Sequence, residues 1–564
     1  MNTPRADRAS LGLLLLMLLI AIVGTVAAAR VSTASVAMWL AHPVRVDADG
    51  TPPAVTFTGA LWLRIAWMTG PWCALVLVFA IRRAARNTTP PLPLRAPSRA
   101  TLIGLAGLAV ASVCVRCITL SESLWYDELV GFGAYSLLGP ATVIGNYFSQ
   151  ANHILSQVLI WCSTWLFGVN EVSMRLPSLL ASLATIVAAF ALGREVRDDR
   201  TGLFAALAMS VMPIVVLSGT DARGYSFMIL GATLATWLLF NARRTGSTVA
   251  WTLYALVIAL SAWSHLVSIM FALGHGAWLL FDLLRGRERG SPGTGLVALV
   301  LSGVVALMLY APVLPDILAL RGQFRVTSDT QPSLLGIETQ HALIALGGAW
   351  TWWAAVPGGV LVLIGLWTLR QVPRLRDATI AGFLGLPIAY GLAAVGDSWL
   401  YARFLLFVTP AIALLMARGL DVLAARRSSL AITAAALWTA IAITSIAILP
   451  PRQPLREAML TATSLRSAAH ETVGVIGLRD NPLLYYAIAY RSELVDFGDR
   501  GVRLEATLDA TLEAQRPRAI VILYASTLPP ERLATLAARG YTRTTTLPGW
   551  IDWGAGTVEV WKRD

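Results

Sequence analysis

Residues 11–29, LGLLLLMLLIAIVGTVAAA, run without a charge for the length of chain that crosses a bilayer as a helix. A hydrocarbon core about 30 Å thick needs roughly 20 apolar residues at a helical rise of about 1.5 Å. Blocks of this kind recur as far as Leu449 and then stop. We place spans near 11–29, 65–82, 101–120, 176–193, 202–219, 225–240, 249–264, 266–282, 296–312, 354–371, 378–396, 402–421 and 429–449, about thirteen in all. The whole composition agrees. Apolar residues fill 56% of 564 positions, mean hydropathy is +0.65, and charged residues make up 13%. A soluble domain carries about 25% charged residues. The expected fold is an all-α polytopic membrane bundle, followed by a small α/β domain outside the membrane.

The basic residues orient that bundle. Lys562 is the only lysine among 44 basic residues, and the arginines crowd into alternate gaps between blocks. Arg5 and Arg8 precede the first span, and Arg82, Arg83, Arg86, Arg95 and Arg99 follow the second. Later clusters are REVRDDR (194–200), NARR (241–244), RGRER (285–289), RQVPRLR (370–376) and RGLDVLAARR (418–427). By the positive-inside rule these gaps are cytoplasmic, so the N-terminus is inside and residues 451–564 are outside. The same alternation settles residues 154–167, ILSQVLIWCSTWLF. A span there would invert every later cluster, so this segment is expected to lie at the interface. The alternative for 11–29, a cleaved signal peptide, would leave the rest of the topology unchanged. Such a protein belongs in the cytoplasmic (inner) membrane.

Three regions follow: 1–100, with two spans and a cytoplasmic linker; 101–450, a membrane core with an outer loop at 121–175; and 451–564. The last region holds 13 of the 32 acidic residues. Its strand-like runs, 473–478, 518–525 and 557–562, alternate with helical runs at 483–490 and 530–540. The net charge of +12 does not indicate nucleic-acid binding, because no basic groove with stacking aromatics is visible. Cys73, Cys114, Cys117 and Cys162 all lie in apolar stretches, so the Cys114/Cys117 pair reads as packing residues.

Chemistry concentrates at the outer ends of the spans. Asp127 and Glu128 are adjacent carboxylates at the membrane edge, where either could take a proton from an acceptor hydroxyl or merely cap a solvated helix. SGTDARGYS, 218–226, is a short outer turn. Arg223 there could clamp a phosphate in bidentate fashion, or simply pair with Asp221. Arg403 opens a late span and could bind a ligand or anchor at the interface. His153 and His265 are isolated histidines, which are more often structural. No dense acidic cluster or paired histidine motif compels a metal site.

Taken in order, LWYDE (124–128), NHILSQVLIWCSTWLFG (152–168), MRLPSLLASL (174–183), DARGYSFMIL (221–230), SH (264–265) and ARFLLFVTP (402–410) resemble the GT-C superfamily of polyprenyl-phosphate-sugar-dependent glycosyltransferases. The branch is that of lipid A aminoarabinose transferases and protein O-mannosyltransferases, and the likeness covers about 100–450. It implies a catalytic carboxylate at Asp127 with Glu128 beside it, and a carrier phosphate held by Arg223 and Arg403. It adds His153, Asp221, Tyr225 and His265 as substrate-binding candidates. Many relatives have His-Pro-Pro where this chain has His153-Ile154-Leu155, and Glu where it has Asp221. The implied partners are a polyprenyl-phosphate sugar donor, an envelope lipid, glycan or protein as acceptor, and membrane lipids. No cofactor is implied, and a divalent metal is left open. A lipid-linked sugar flippase or a noncatalytic envelope scaffold is the rival reading.

Overall fold

The computed structural model describes residues 3–85, 94–286, 292–320, 347–396, 400–467, 471–477, 483–499, 512–525, 528–551 and 554–563. Among these residues ten helices are long and apolar enough to cross a membrane, and a bent pair makes up to eleven. Thr248–Ser264 and Trp352–Trp367 are apolar but shorter, at 17 and 16 residues. Every expected span falls on helix. Ile154–Phe167 is a helix of 14 residues, about 21 Å long and too short to span. It buries Ile154, Ser156, Gln157 and Ile160 and exposes Trp165, Leu166 and Phe167, as an interfacial element would.

Three of the expected spans differ in a way that bears on the site or the packing. The second span begins near Ala54 rather than 65, because Arg64 does not end the helix. Its guanidinium is satisfied by the Ala28 carbonyl at 3.0 Å and the Thr33 hydroxyl at 2.6 Å. The span expected at 402–421 begins as a 3-10 segment, Ala402–Val408, ahead of the helix Thr409–Arg426. The span expected at 202–219 is broken into Asp199–Val211 and Pro213–Gly219, bent by 60°.

That break has a single chemical cause. Pro213 has no N–H, so the Met209 carbonyl loses its helical donor. Ile214 donates instead to the Gly348 carbonyl at 3.3 Å, which orphans Ser210 as well. Arg116, fully buried in the span Arg99–Cys117, fills both gaps. Its guanidinium donates to the Met209 carbonyl at 3.2 Å and the Ser210 carbonyl at 3.0 Å. Its remaining donors meet the hydroxyls of Ser112 and Ser182. A buried arginine thus stabilises the half-helix that leads into the 218–226 turn.

The tail forms a five-stranded mixed sheet. Its strands are β1 (Val473–Gly477), β2 (Leu494–Asp499), β3 (Ala519–Leu523), β4 (Tyr541–Leu547) and, after a two-stranded hairpin of β5 (Trp550–Ile551) and β6 (Gly554–Ala555), β7 (Val558–Arg563). The order is β2-β1-β3-β7-β4, with β1 parallel to β2 and β3, and β7 antiparallel to β3 and β4. β1 and β3 are buried throughout, so they read as continuous apolar runs rather than alternating ones. Helices Leu455–Ser464 and Leu484–Ala489 pack the sheet onto the membrane core. Leu124, Trp125, Leu129, Phe132 and Ala222 share one apolar cluster with Leu455, Met459, Tyr486 and Val521.

Candidate active site

The LWYDE segment becomes a turn followed by the helix Tyr126–Ala134, with Trp125 at its N-cap. Glu128, three residues on, reaches back to accept the Trp125 N–H at 3.1 Å, the carboxylate half of a capping box. Its side chain does much more. Arg175, from the helix Glu171–Val196, grips it through Nε at 2.8 Å and Nη2 at 2.7 Å, and the Ala222 N–H donates at 2.7 Å. The same guanidinium staples the preceding loop, donating to the carbonyls of Leu120, Glu122 and Ser123. Glu128 is therefore buried and saturated, a hub joining three elements. Where the sequence reading sets Glu128 beside Asp127 in the catalytic role, the structure takes up both its oxygens with four donors from Trp125, Arg175 and Ala222.

Asp127 is the opposite case. Its side chain keeps 19% exposure, and two cations converge on one oxygen: Arg223 Nη2 at 3.6 Å and Arg403 Nη2 at 3.5 Å. These distances exceed the 2.7–2.9 Å or so of a tight charge-assisted bond. Arg223 and Arg403 come from elements 180 positions apart and are nearly buried. Arg223 also donates to the Asp127 carbonyl at 3.1 Å. Arg403 lies 4.4 Å from the Tyr401 ring and 5.7 Å from that of Trp125, so it is no interface anchor.

Asp221 does not pair with Arg223. Its carboxylate accepts from Trp125 Nε1 at 3.2 Å and meets Arg452 Nη1 at 3.0 Å, from the start of the tail. Burial pushes its carboxyl above the ordinary range, while the Arg452 guanidinium pulls the other way. Gly224 lets the turn close down. A Cβ there would sit 2.5 Å from the Ser264 carbonyl and 2.8 Å from His153 Nδ1, which instead accepts the Gly224 N–H at 2.6 Å. Burial first, then Arg223, His265 and Arg403, hold the His153 imidazole well below its usual pKa, so it stays neutral. His153, Tyr225 and His265 form one aromatic cluster, with the two imidazole centroids 4.4 Å apart. Neither ring nitrogen of His265 nor the Tyr225 hydroxyl has a hydrogen-bond partner among the described residues. All eight expected residues thus gather around one turn, and the His265 and Tyr225 side chains offer unused polar atoms to a ligand. Among the described residues no three His, Cys, Asp or Glu side chains are placed to hold a metal.

Arg175, Arg452 and Glu122 are additions that the sequence reading did not assign. A polar chamber of about 20 Å³, room for one water, is lined by Glu122, Trp125, Glu128, Arg175, Asp221, Arg452 and Trp550. Burial pushes the Glu122 carboxyl up to about 7, with Glu128 adding to the rise and Arg175 opposing it. Its ordinary value is 4.5. Between these values the folded chain binds the proton that the unfolded chain releases. The Glu122 contribution to stability therefore falls as pH rises from about 4.5 to about 7 and stays unfavourable above. Glu122→Gln is expected to melt higher than wild type at pH 8, with the gap closing as pH falls towards 5. A constant gap across that range in a thermal-shift series would contradict the assignment.

The family described as dolichyl-phosphate-mannose-protein mannosyltransferase matches residues 153–315. Curated proteins give no match over the sequence. Among solved structures the chain is similar to ArnT from Cupriavidus metallidurans in the apo state, with TM-score 0.52 and 14% identity over 82% of this chain and 98% of that one. The same protein bound to undecaprenyl phosphate gives TM-score 0.51 over the same shares. The oligosaccharyltransferase of Archaeoglobus fulgidus gives 0.49 and 14% identity, over 75% of this chain and 69% of that one.

Proposed function

We propose that this chain, a multi-pass membrane protein with the GT-C glycosyltransferase fold, transfers a sugar from a polyprenyl-phosphate carrier to an acceptor at the outer membrane face. One observation carries the reading: two nearly buried guanidiniums converge on one oxygen of a carboxylate that keeps 19% exposure. In the transfer, an acceptor oxygen bonds to the anomeric carbon while the bond from that carbon to the phosphate oxygen breaks. Asp127 takes the acceptor proton, and the displaced polyprenyl phosphate leaves on Arg223 and Arg403, whose charges meet the negative charge as it develops. Attack opposite the leaving group inverts the anomeric centre. The loose spacing around Asp127 suits this division of labour, because a phosphate can enter between the cations without breaking a tight pair. His265 and Tyr225 are placed to contact the sugar, and neutral His153 fixes the turn. Outer-face placement, in the cytoplasmic membrane, rests on the alternation of arginine-rich gaps. The acceptor class is an envelope lipid, glycan or protein.

The test is direct. Purified protein given a labelled polyprenyl-phosphate sugar and an envelope extract should release free polyprenyl phosphate and label the extract. Movement of intact donor without its cleavage would overturn the reading in favour of a flippase. Arg223→Lys keeps the charge but loses the planar fork. It is expected to cut kcat/KM for the donor by about tenfold or more, roughly 1.4 kcal/mol, with normal insertion. Wild-type kcat/KM in that variant would remove Arg223 from phosphate binding.

A further inference from the structure

A helix leaves its first N–H groups without helical partners. At Tyr126–Ala134, the helix that bears Asp127, the tail supplies an acceptor for the first of them and another for the residue before the N-cap. The Tyr126 N–H donates to Gln453 Oε1 at 2.9 Å, and the N–H of Leu124, just before the N-cap, donates to the Tyr486 hydroxyl at 2.8 Å. The loop leading to it is pinned in the other direction, with the Arg456 N–H donating to the Ser123 hydroxyl at 3.0 Å. Arg452 braces the N-cap itself. Its guanidinium lies 4.6 Å from the Trp125 ring and 5.2 Å from the Trp550 ring, while Nη1 meets Asp221. Trp125 has Arg403 near it too, at 5.7 Å. A continuous line of contacts therefore runs Trp550, Arg452, Trp125, Arg403, Asp127. The hairpin bearing Trp550 is held close to this line, because Cβ atoms at Gly549 and Gly556 would meet the Arg452 carbonyl at 2.7 and 2.0 Å.

From these contacts we infer that the tail domain is a working part of the transfer site: Gln453 caps the helix that presents Asp127, Tyr486 holds the residue before its N-cap, and Arg452 sets Trp125 against Arg403. They are positioning residues and touch no reacting atom. The inference rests on the transferase reading for its effect on rate, but the capping itself does not.

Gln453 permits a test in which capping and packing predict opposite orders. Its side chain is fully buried, and Nε2 has no hydrogen-bond partner among the described residues. If Gln453 only fills space, Gln453→Leu is tolerated and Gln453→Glu, which buries a charge, is harmful. If it caps, Gln453→Glu keeps the acceptor and suits a helix N-terminus, whereas Gln453→Leu strands the Tyr126 N–H. We expect Gln453→Leu to speed amide exchange at Tyr126 by about tenfold and to lower kcat by a similar factor. Donor KM should be unchanged, and exchange in β1 and β3 should stay as in wild type. Gln453→Glu should restore both readouts. Exchange at Tyr126 is read in detergent without substrate, so it decides the capping even if wild type proves inactive, a result that would sink only the transferase reading. Slower turnover in Gln453→Glu than in Gln453→Leu, unchanged Tyr126 exchange in Gln453→Leu, or wild-type kcat in both variants would each overturn the inference.

Discussion

Asp127→Asn is expected to reach the membrane, survive detergent extraction and bind the lipid donor, yet transfer sugar about 10²–10⁴ times more slowly than wild type. Asparagine keeps the size and the hydrogen-bonding oxygen but cannot accept the acceptor's proton. The fold loses little. Asp127 is partly exposed, and its ion pairs at 3.5 and 3.6 Å are the longest in the site. Neutralising it also removes the negative charge that Asp127 sets against Arg223 and Arg403, so polyprenyl phosphate should bind as tightly as before or more so. Turnover of labelled donor and binding of unlabelled polyprenyl phosphate, measured on one preparation, separate the two effects. Turnover near wild type would end the carboxylate mechanism, and weaker phosphate binding would show that Asp127 supports the cations rather than competing for them.

Much of this arrangement is legible in the sequence, and the illegible parts share a cause. Hydropathy and alternate arginine clusters place the spans because a bilayer imposes length and sign on every segment. They do not reveal the break at Met212–Pro213, since one proline in an apolar run leaves hydropathy unchanged. Arg116, which satisfies the freed carbonyls, reads as a charge at the end of its block. In the tail, the central strands β1 and β3 are evident as apolar runs. β2 and β4, at the two edges of the sheet, are not: YTRTTTL exposes most of its residues and offers no clean alternation. Partner choice is the least legible property. Asp221 and Arg223 are two positions apart, yet Asp221 pairs with Arg452, far along the chain. Arg175 lies within MRLPS, where nothing local distinguishes a buried hub from the first charge of a span. Asp127 and Glu128 are indistinguishable until helix phase sends one to a partly exposed place beside Arg223 and Arg403 and the other to the core.

Arg175→Met is expected to be the most destabilising substitution in the site. Removing one partner of a buried ion pair typically costs about 3–5 kcal/mol, because the survivor is left charged and dry. Here the survivor is Glu128, whose pair with Arg175 at 2.7 Å is buried on both sides. Lost melting temperature and poor recovery from detergent should report it. The double variant Arg175→Met, Glu128→Gln removes the stranded charge and should recover part of that loss. Recovery should stay incomplete, since the carbonyls of Leu120, Glu122 and Ser123 still lack the donors that Arg175 provides. Glu128→Gln alone should fall between them: its amide oxygen can accept from either Trp125 or Ala222 but not both, and Arg175 is left unpaired. In each variant, turnover per folded molecule should exceed that of Asp127→Asn, because Asp127, the proposed base, is intact. An equally dead but fully stable Glu128→Gln would exchange the roles assigned to the two carboxylates.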